Sequence, residues 1–429
     1  MTTNTEAAVA VLNHPFLAGS IFLVTFVLVS FRQMRILPIG RPAAAMLGAV
    51  SMVVGGVMTP EQAYTLVNWD TIGLLLGMMI IAEYLRDAGF FRSLTRRLHR
   101  MQSPFRLLAA ISLFSGLASA FLVNDTICVV MTPLVLGICE SRRLHPFPYL
   151  MALATSSNIG SALALTGNPQ NMIIGVLSGL DYTRFLVLML LPVAVSLVLN
   201  IVLLRWFYGP MLKSPLPEDA VTPSPVLDDD ETLGKPIARL SFSVLALIAA
   251  CVGFFSGFSM AFSALAGASL VILLNRKDPK EFLARVDWPL LLFFSSLFIV
   301  IGGLKVSGLS AAGTAWAMQF VSGTLQHQSW VFSLVTLIGS NVFSNVPFVM
   351  LVGQTVPHLA APQLFWSLLA FVSTVAGNLT LFGSVANLIV AEGARGRCEV
   401  GFMAYARFGV PSTLLVVSIG TAILLALLG

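Results

Sequence analysis

Long stretches without a charged residue dominate this chain and limit what it can fold into. No residue from Phe16 to Phe31 carries a charge, and many similar stretches follow. A helix of about 20 apolar residues spans the hydrocarbon core of a membrane. A transmembrane β-barrel would instead alternate apolar and polar residues. The pattern therefore predicts an all-α polytopic membrane protein.

The composition supports the same class. Of the 429 residues, 57% are hydrophobic and 10% are charged, whereas soluble domains carry about 25% charged residues. Even a large soluble domain leaves much of its surface in water, so it could not bury so much apolar side chain. This excludes a water-soluble enzyme, a disordered protein and a disulfide-rich secreted domain.

Cysteine and histidine give no sign of a metal site. The four cysteines lack Cys-x-x-Cys spacing, and no two of the five histidines stand at the spacing of metal ligands. We expect no metal, no cofactor and no catalytic residue, and therefore no enzyme.

The positions of the basic residues predict the topology, because cytoplasmic loops are rich in Lys and Arg. If the N-terminus is outside, all of the 24 Lys and Arg except Arg184 and Lys305 fall on the cytoplasmic side. We expect a multi-pass protein of the bacterial inner membrane with both termini in the periplasm. The net charge of +5 then belongs to loops beside the lipid bilayer and indicates no nucleic-acid partner.

The two halves of the chain resemble each other. Matches recur in the same order and at a near-constant offset along the sequence: Gly48 with Gly267, Pro60 with Pro279, Trp69 with Trp288, and Asn124 with Asn345. The first half begins outside and the second inside, which predicts two repeats of inverted topology. Such repeats with interrupted helices are typical of secondary transporters.

Each repeat is predicted to contain three spans, a re-entrant hairpin, a broken span and a closing span. The N-terminal repeat covers 1–208, with a hairpin at about 107–139 and a broken span at about 149–178. A cytoplasmic linker, rich in proline and acidic residues, covers 209–238. The C-terminal repeat covers 239–429, with a hairpin at about 329–356 and a broken span at about 363–394.

Polar motifs interrupt the apolar spans at matching places. Non-helical backbone inside a membrane persists only where it lines a cavity or is buried in protein. Gly permits unusual turns there, and Asn, Ser and Thr cap half-helices or bind a solute. The predicted substrate- and ion-binding residues are Asn124, Asp125, Thr126, Asn158, Gly167, Asn168, Asn171, Ser344, Asn345, Asn378, Thr380, Gly383, Ser384 and Asn387.

Asp125 is the one acidic residue that the topology places deep in the membrane. A carboxylate at that depth usually marks an ion or proton pathway, so we assign it proton coupling. The alternative is a carboxylate that only caps the returning half-helix. No Lys or Arg occurs at any break, which favours a neutral or weakly charged solute. Cys128, one turn beyond Asn124, is interpreted as a packing residue.

These motifs resemble those of a known superfamily. Asn124-Asp125-Thr126 with Thr132-Pro133-Leu134-Val135 is similar to the hairpin of bacterial arsenite/antimonite efflux permeases, within the ion transporter superfamily. The segments 167–171 and 377–387 resemble the broken helices of that group and of related anion permeases. Divalent-anion/sodium symporters of the superfamily carry Ser-Asn-Thr at both hairpin tips. Both tips of this chain differ from that Ser-Asn-Thr pattern, since they read Val123-Asn124-Asp125-Thr126 and Ser344-Asn345-Val346.

The resemblance implies an arsenite/antimonite efflux permease coupled to protons. The first alternative is a sodium- or proton-coupled transporter of small anions such as dicarboxylate or sulfate. The second is a sodium/proton antiporter, and a channel or a structural scaffold is the remaining class. The candidate partners are a small inorganic substrate, protons or sodium, a second copy of the chain as in related symporters, and a cytoplasmic ATPase.

The topology has a direct test. We expect a cysteine introduced by Ser214→Cys to react with an impermeant thiol reagent only from the cytoplasmic side, because the linker lies among the basic loops. Labelling in intact and everted vesicles measures this. Reaction from outside intact cells would contradict the orientation.

Overall fold

The structure, a computed structural model, describes residues 15–30, 40–213, 237–319 and 322–429, and within these ranges its regular structure is helical. The first half contains α1 (Pro15–Ser30), α2 (Arg41–Val54), α3 (Pro60–Leu66), α4 (Trp69–Asp87), α5 (Phe90–His99), α6 (Pro104–Phe121), α7 (Asn124–Ser141), α8 (Pro146–Ser161), α9 (Pro169–Ser178) and α10 (Tyr182–Lys213). The second half contains α11 (Ile237–Phe255), α12 (Met260–Asn275), α13 (Pro279–Leu283), α14 (Trp288–Val306), α15 (Leu309–Met318), α16 (Leu325–Phe343), α17 (Asn345–Val352), α18 (Pro362–Ala376), α19 (Val385–Gly393) and α20 (Phe402–Leu428). The all-α prediction is confirmed.

Several helices are suited to a membrane. Within the described ranges, α6, α10, α14 and α20 are long and apolar enough to cross one, and the pair α3–α4, bent by 53°, adds a fifth candidate. Five shorter apolar helices are α1, α2, α11, α12 and α18. Large apolar side chains such as Phe16, Val54 and Trp206 are exposed on the outer surface, where lipid replaces water around a membrane protein.

The helices of the two halves begin at matching positions. The starts of α2, α3, α4 and α5 all precede the starts of α12, α13, α14 and α15 by one and the same offset. The starts of the hairpin helices α6 and α7 precede those of α16 and α17 by a second offset, and the starts of the half-helices α8 and α9 precede those of α18 and α19 by a third. These three offsets differ by only a few residues. The sequence repeat is therefore a repeat of helices, while its inverted orientation in the membrane stays a prediction.

The halves are interleaved. α4 packs on α12, and its counterpart α14 packs on α2, the counterpart of α12. A Cβ on Gly77 of α4 would lie 2.8 Å from the carbonyl oxygen of Ala264 in α12, and one on Gly303 of α14 would lie 2.7 Å from Met52 Sδ in α2. Small residues thus permit close helix contact at both crossings, as is common between membrane helices.

Some predicted boundaries were wrong. Gly209-Pro210 does not end the last span of the first half, since α10 continues to Lys213. Residues 214–236 of the predicted linker lie outside the described residues. Residues 158–161, predicted as part of an interruption, form the last turn of α8, and the interruption begins only after Ser161.

Four short helices were not predicted, namely α3, α5, α13 and α15. For α3 the signal is present in the sequence Thr59-Pro60-Glu61-Gln62. Thr59 Oγ1 accepts a hydrogen bond from Gln62 N, and Gln62 Oε1 accepts one from Thr59 N at 3.0 Å. This reciprocal pair is a capping box, which marks a helix start.

The hairpin helix α6 and the half-helix α8 approach closely at two glycines. A Cβ on Gly160 would lie 2.1 Å from the carbonyl oxygen of Gly116. We expect Gly160→Ala to destabilise the protein by about 1–3 kcal/mol, because backbone must move to admit the methyl group. Thermal unfolding of the purified protein in detergent measures this loss.

The matched control is Gly209→Ala in α10, where no described atom lies within 4 Å of the added Cβ. It should unfold at or above the temperature of the unmodified protein, because Ala favours helix over Gly. Equal stability of the two variants would contradict close packing of α6 on α8.

Candidate functional site

The two hairpin tips line one cavity. Its volume is about 230 Å³, and both Asn124-Asp125 of the first tip and Ser344-Asn345 of the second contribute to its wall. The remaining wall residues are Arg41, Pro42, Pro169, Gln170, Asp287, Pro289, Leu290, Phe293, Phe294, Val346, Gly383, Ser384 and Val385. The tips therefore share a space, as the repeat alignment predicts, and we call it the central cavity.

Four half-helices begin at the central cavity. The first residues of α7, α9, α17 and α19 all belong to its wall. Each helix N-terminus has backbone N–H groups without a partner in its own helix and a partial positive charge. The cavity is thus rich in hydrogen-bond donors for an oxygen-bearing solute.

Behind this wall, the side chain of Asn158 connects the first hairpin tip with the broken span of the second half. Its Oδ1 accepts hydrogen bonds from Asn124 Nδ2 at 3.0 Å and Ser384 Oγ at 3.1 Å. Its Nδ2 donates to Asn378 Oδ1 at 2.8 Å and Asn387 Oδ1 at 3.0 Å. One buried amide therefore joins the first hairpin tip to the broken span of the second half, and its hydrogen-bonding capacity is filled.

The two interruptions are built alike. Asn171 Nδ2 donates to the carbonyl oxygens of Ser161 and Ala164, both at 3.2 Å. Asn387 Nδ2 donates to those of Gly377, at 2.7 Å, and Thr380, at 3.1 Å. The donor and the two acceptors correspond between the repeats, because Asn171 and Asn387, Ser161 and Gly377, and Ala164 and Thr380 are separated by the same number of residues. These two asparagines thus support the non-helical backbone in each half.

Gly167 and Gly383 allow the chain to turn at these interruptions. A Cβ on Gly167 would lie 2.1 Å from the carbonyl oxygen of Ser161, and one on Gly383 would lie 2.7 Å from that of Gly377. The next residue then caps the following half-helix. Asn168 Oδ1 accepts from the backbone N–H of Asn171 at 2.9 Å, and Ser384 Oγ accepts from that of Ala386 at 3.2 Å.

Two residues of the wall each carry a buried side-chain oxygen without a partner in the described ranges. Asn124 Oδ1 and Asn345 Oδ1 are buried, and neither has a hydrogen-bond partner among the described residues. A buried acceptor without a partner costs about 1–3 kcal/mol, so a bound solute or cation would relieve this cost. These oxygens occupy equivalent positions in the two hairpin tips.

The expectation of a site without a fixed cation was wrong. Arg41, the first residue of α2, lies in the cavity wall, and its Nε is buried without a hydrogen-bond partner in the described part of the chain. Asp287, which caps α14 through Leu290 N at 3.0 Å, lies in the same wall. Asp125 is therefore not the only carboxylate there. Sequence reasoning missed both residues because they precede helices that begin far from the hairpins in sequence.

The predicted site residues fall into three groups. Asn124, Asp125, Ser344, Asn345, Gly383 and Ser384 line the central cavity. The amides behind its wall are Asn158, Asn168, Asn171, Asn378 and Asn387, all buried. Thr126, Gly167 and Thr380 do not belong to the wall, although the carbonyl oxygens of Gly167 and Thr380 accept hydrogen bonds from Asn124 N and Asn387 Nδ2.

Gln170 and Thr374 were not predicted. Gln170 lines the cavity, and its Nε2 donates to Thr374 Oγ1 at 3.4 Å. Thr374 also accepts from Asn168 Nδ2 at 3.2 Å and so links the two broken spans. Gln170 stands inside the motif Gly167-Asn168-Pro169-Gln170-Asn171, which was a readable signal. Cys128 is buried 3.1 Å from Ser157 Oγ and outside the wall, which fits packing.

Known proteins share this fold along nearly the whole chain. Solved structures of the YdaH transporter of Alcanivorax borkumensis and of MtrF of Neisseria gonorrhoeae both align with a TM-score of 0.59. They cover 96% of this chain and 97% and 94% of their own, at 13% and 11% identity. At such identities the likeness is one of fold.

Two other relatives have a higher sequence identity to this chain than these two solved structures have. A Dictyostelium discoideum protein named as transporter arsB is 31% identical over 95% of this chain and 92% of its own length. The silicon efflux transporter LSI3 of Oryza sativa subsp. japonica is 33% identical over 94% of this chain and 96% of its own. The resemblance to transporters of the ion transporter superfamily is thereby confirmed, and the chain is a membrane transporter, not an enzyme. A family model described as citrate transporter matches residues 26–376, and the chain belongs to this family of membrane transporters.

Proposed function

We propose that the protein exports a small hydroxylated oxyacid, of the arsenite and antimonite kind, in exchange for protons. The observation that carries the proposal is the make-up of the central cavity. Amides, the hydroxyl groups of two serines and four helix N-termini offer hydrogen bonds, and the described wall carries two carboxylates, of Asp125 and Asp287, and one guanidinium, of Arg41. Such a wall suits a neutral solute with many hydroxyl groups.

The charges of the wall speak against a highly charged anion. Among the described wall residues, a di- or tricarboxylate in this space would lie beside two carboxylates and one guanidinium, that of Arg41. Like charges a few ångströms apart repel strongly where water is scarce. Arsenite and antimonite acids are largely neutral near pH 7 and avoid this repulsion.

The relatives support the same chemical class. The rice relative is named for silicon efflux, and the slime-mould relative is named arsB. Silicon dissolves in water as a hydroxylated acid, so the two names point to solutes of one type. Arg41 and Asp287 lie in the wall of the central cavity, and the cytoplasmic position predicted for both helix ends is consistent with efflux.

We assign proton coupling to Asp125. It lies in the cavity wall in the first turn of α7, next to Asn124. A carboxylate at the binding site can release its proton when the solute arrives and take one up when the solute leaves. Competition of this kind couples the two fluxes without a large motion of the residue itself.

Uptake into everted vesicles tests the function. Arsenite, antimonite, silicic acid, citrate, sulfate and sodium are measured side by side, with and without a pH gradient. We expect gradient-driven uptake of the oxyacids. Transport of citrate, sulfate or sodium alone would contradict the proposal.

Asp125→Asn should abolish pH-driven uptake while the protein still folds and inserts. Asn keeps the size and hydrogen bonding of Asp but cannot titrate, and a neutral amide is less costly to bury than a charge. The matched control is Asp181→Asn, an exposed N-terminal cap of α10 that Asn can replace. Full pH-driven uptake by Asp125→Asn would refute coupling at this residue and leave it a helix cap.

A second candidate is the transport of a small anion, coupled to sodium or protons. Arg41 in the cavity wall favours it, and so does the description of the family model as citrate transporter. If an anion binds Arg41, Arg41→Gln should lower its uptake about 10- to 100-fold, because a hydrogen bond to a charged group contributes about 1.5–3 kcal/mol. Arg41→Lys keeps the charge and should retain most of the uptake. Anion uptake that is unchanged in Arg41→Gln would contradict the anion candidate.

A further inference from the structure

A second cavity lies at the other end of the helices that form the central cavity. Its volume is about 710 Å³. Its wall consists of Leu66, Leu177, Phe298, Ile301, Gly302, Lys305, Ser310, Ala311, Thr314, Ala315, Met318, Met350, Gly353, Gln354, Pro357, His358 and Trp366. We call it the distal cavity, and the function proposed above does not use it.

Three helices run from one cavity to the other. α14 reaches the central cavity up to Phe294 and the distal cavity from Phe298. In α17, Val346 lines the central cavity and Met350 lines the distal cavity. α9 begins at the central cavity and contributes Leu177 to the wall of the distal cavity. Four helical residues rise about 6 Å, so the barrier between the cavities is about one helical turn thick along α14 and α17.

Apolar side chains form this barrier. Phe298, Met350 and Val346 are buried. At the far end, a Cβ on Gly353 would lie 3.3 Å from Leu177 Cδ1 and 3.2 Å from Trp366, so α17 meets α9 and α18 closely there. The cavities are thus separated by packed side chains and not by a whole bundle of helices.

The polar wall of the distal cavity differs from that of the central cavity. Lys305 and His358 are both exposed there, and none of the described wall residues is acidic. Hydroxyl and amide groups stand beside them. Ser310 Oγ donates to Gln354 Oε1, and Thr314 Oγ1 lies 3.3 Å from Thr355 Oγ1. A wall with a cation, no carboxylate and several hydroxyl groups suits an oxyanion or a hydroxylated acid.

The predicted topology indicates on which side of the membrane the distal cavity lies. Lys305 is one of two basic residues that fall outside the cytoplasmic face, and α14 reaches it from Asp287 at its opposite end. The distal cavity would therefore open to the periplasm while the central cavity opens to the cytoplasm.

We propose that the distal cavity is the outer vestibule of the transport path and that Lys305 attracts and holds a small oxyanion or hydroxylated acid there. As a stage of transport this rests on the proposed function. As a cavity with a lysine in its wall it stands on the geometry alone. The central cavity has two carboxylates in its wall and the described wall of the vestibule has none, so the fraction of the acid that ionises is more stable in the vestibule.

Charge-selective labelling tests the vestibule without any transported solute. Thr314→Cys is made in a background in which Cys128, Cys139, Cys251 and Cys398 are replaced by alanine. Right-side-out vesicles are treated with the anionic sulfonatoethyl or the cationic trimethylammonioethyl methanethiosulfonate. We expect labelling from outside, with the ratio of anionic to cationic rates lowered about five-fold by Lys305→Gln, as for one charge within ~8 Å in water. Lys305→Arg should leave the ratio unchanged.

Two further variants complete the design. Ala312→Cys lies on the same helix but outside the wall, so its ratio should not respond to Lys305→Gln. Ala311→Cys lies in the wall and replaces Thr314→Cys if that variant fails to fold. Inorganic phosphate or silicic acid, added outside, should slow labelling of the wall position and lose this effect in Lys305→Gln.

Three outcomes would overturn the inference. Labelling from the cytoplasmic side only would place the distal cavity on the wrong face. No reaction with either charged reagent would identify a gap filled by lipid. A ratio independent of Lys305, without protection by phosphate or silicic acid, would remove the binding role. Since none of these needs oxyacid transport, failure of the uptake assay leaves the labelling result intact.

Discussion

The hydrogen bonds of Asn158 hold the central cavity together. Its side chain accepts from the first hairpin tip and from Ser384, and donates to Asn378 and Asn387. All these groups lie where water is scarce, and a buried polar group without a partner costs about 1–3 kcal/mol. If this amide were lost, several others would lack a partner at once. The network therefore joins the two halves through buried hydrogen bonds.

The interruptions and hairpin tips could be predicted from the sequence because their signal is local. Gly, Asn and Pro inside an apolar stretch are out of place in a helix that faces lipid, and the same motif recurs after a near-constant offset. Gly167 and Gly383 illustrate this, since each allows a turn that a Cβ would block. The exact ends of the helices were less accessible. Asn158 and Ser161 resemble the polar residues of the interruption, yet residues 158–161 complete α8, and the Asn158 side chain bonds across the cavity wall and not to its own backbone.

The rest of the site depends on tertiary structure. Arg41 and Asp287 begin helices in different halves, and only the packing of α2 on α14 brings them to one wall. Two residues so far apart in the sequence give no local sign that they are close in space. The sequence analysis had interpreted Arg41 only as one of the basic residues that determine the topology. Ser344 is another case. Its φ of 71° lies in a region that favours glycine, and such a conformation costs about 1–3 kcal/mol unless the surroundings enforce it. Nothing in the local sequence indicates this strain at the second tip.

The short stretch of packed side chains along α14 and α17 has an electrical consequence. If water fills the central and distal cavities, as the proposed transport path requires, the voltage across the membrane falls mainly over the layer between them. A charge that crosses this layer of ~6 Å experiences nearly the whole voltage, worth about 2.3 kcal/mol per elementary charge at 100 mV. Exchange of a neutral acid for one proton moves one net charge through that layer. The resting voltage of the cell would then drive such an exchange as strongly as a pH difference does.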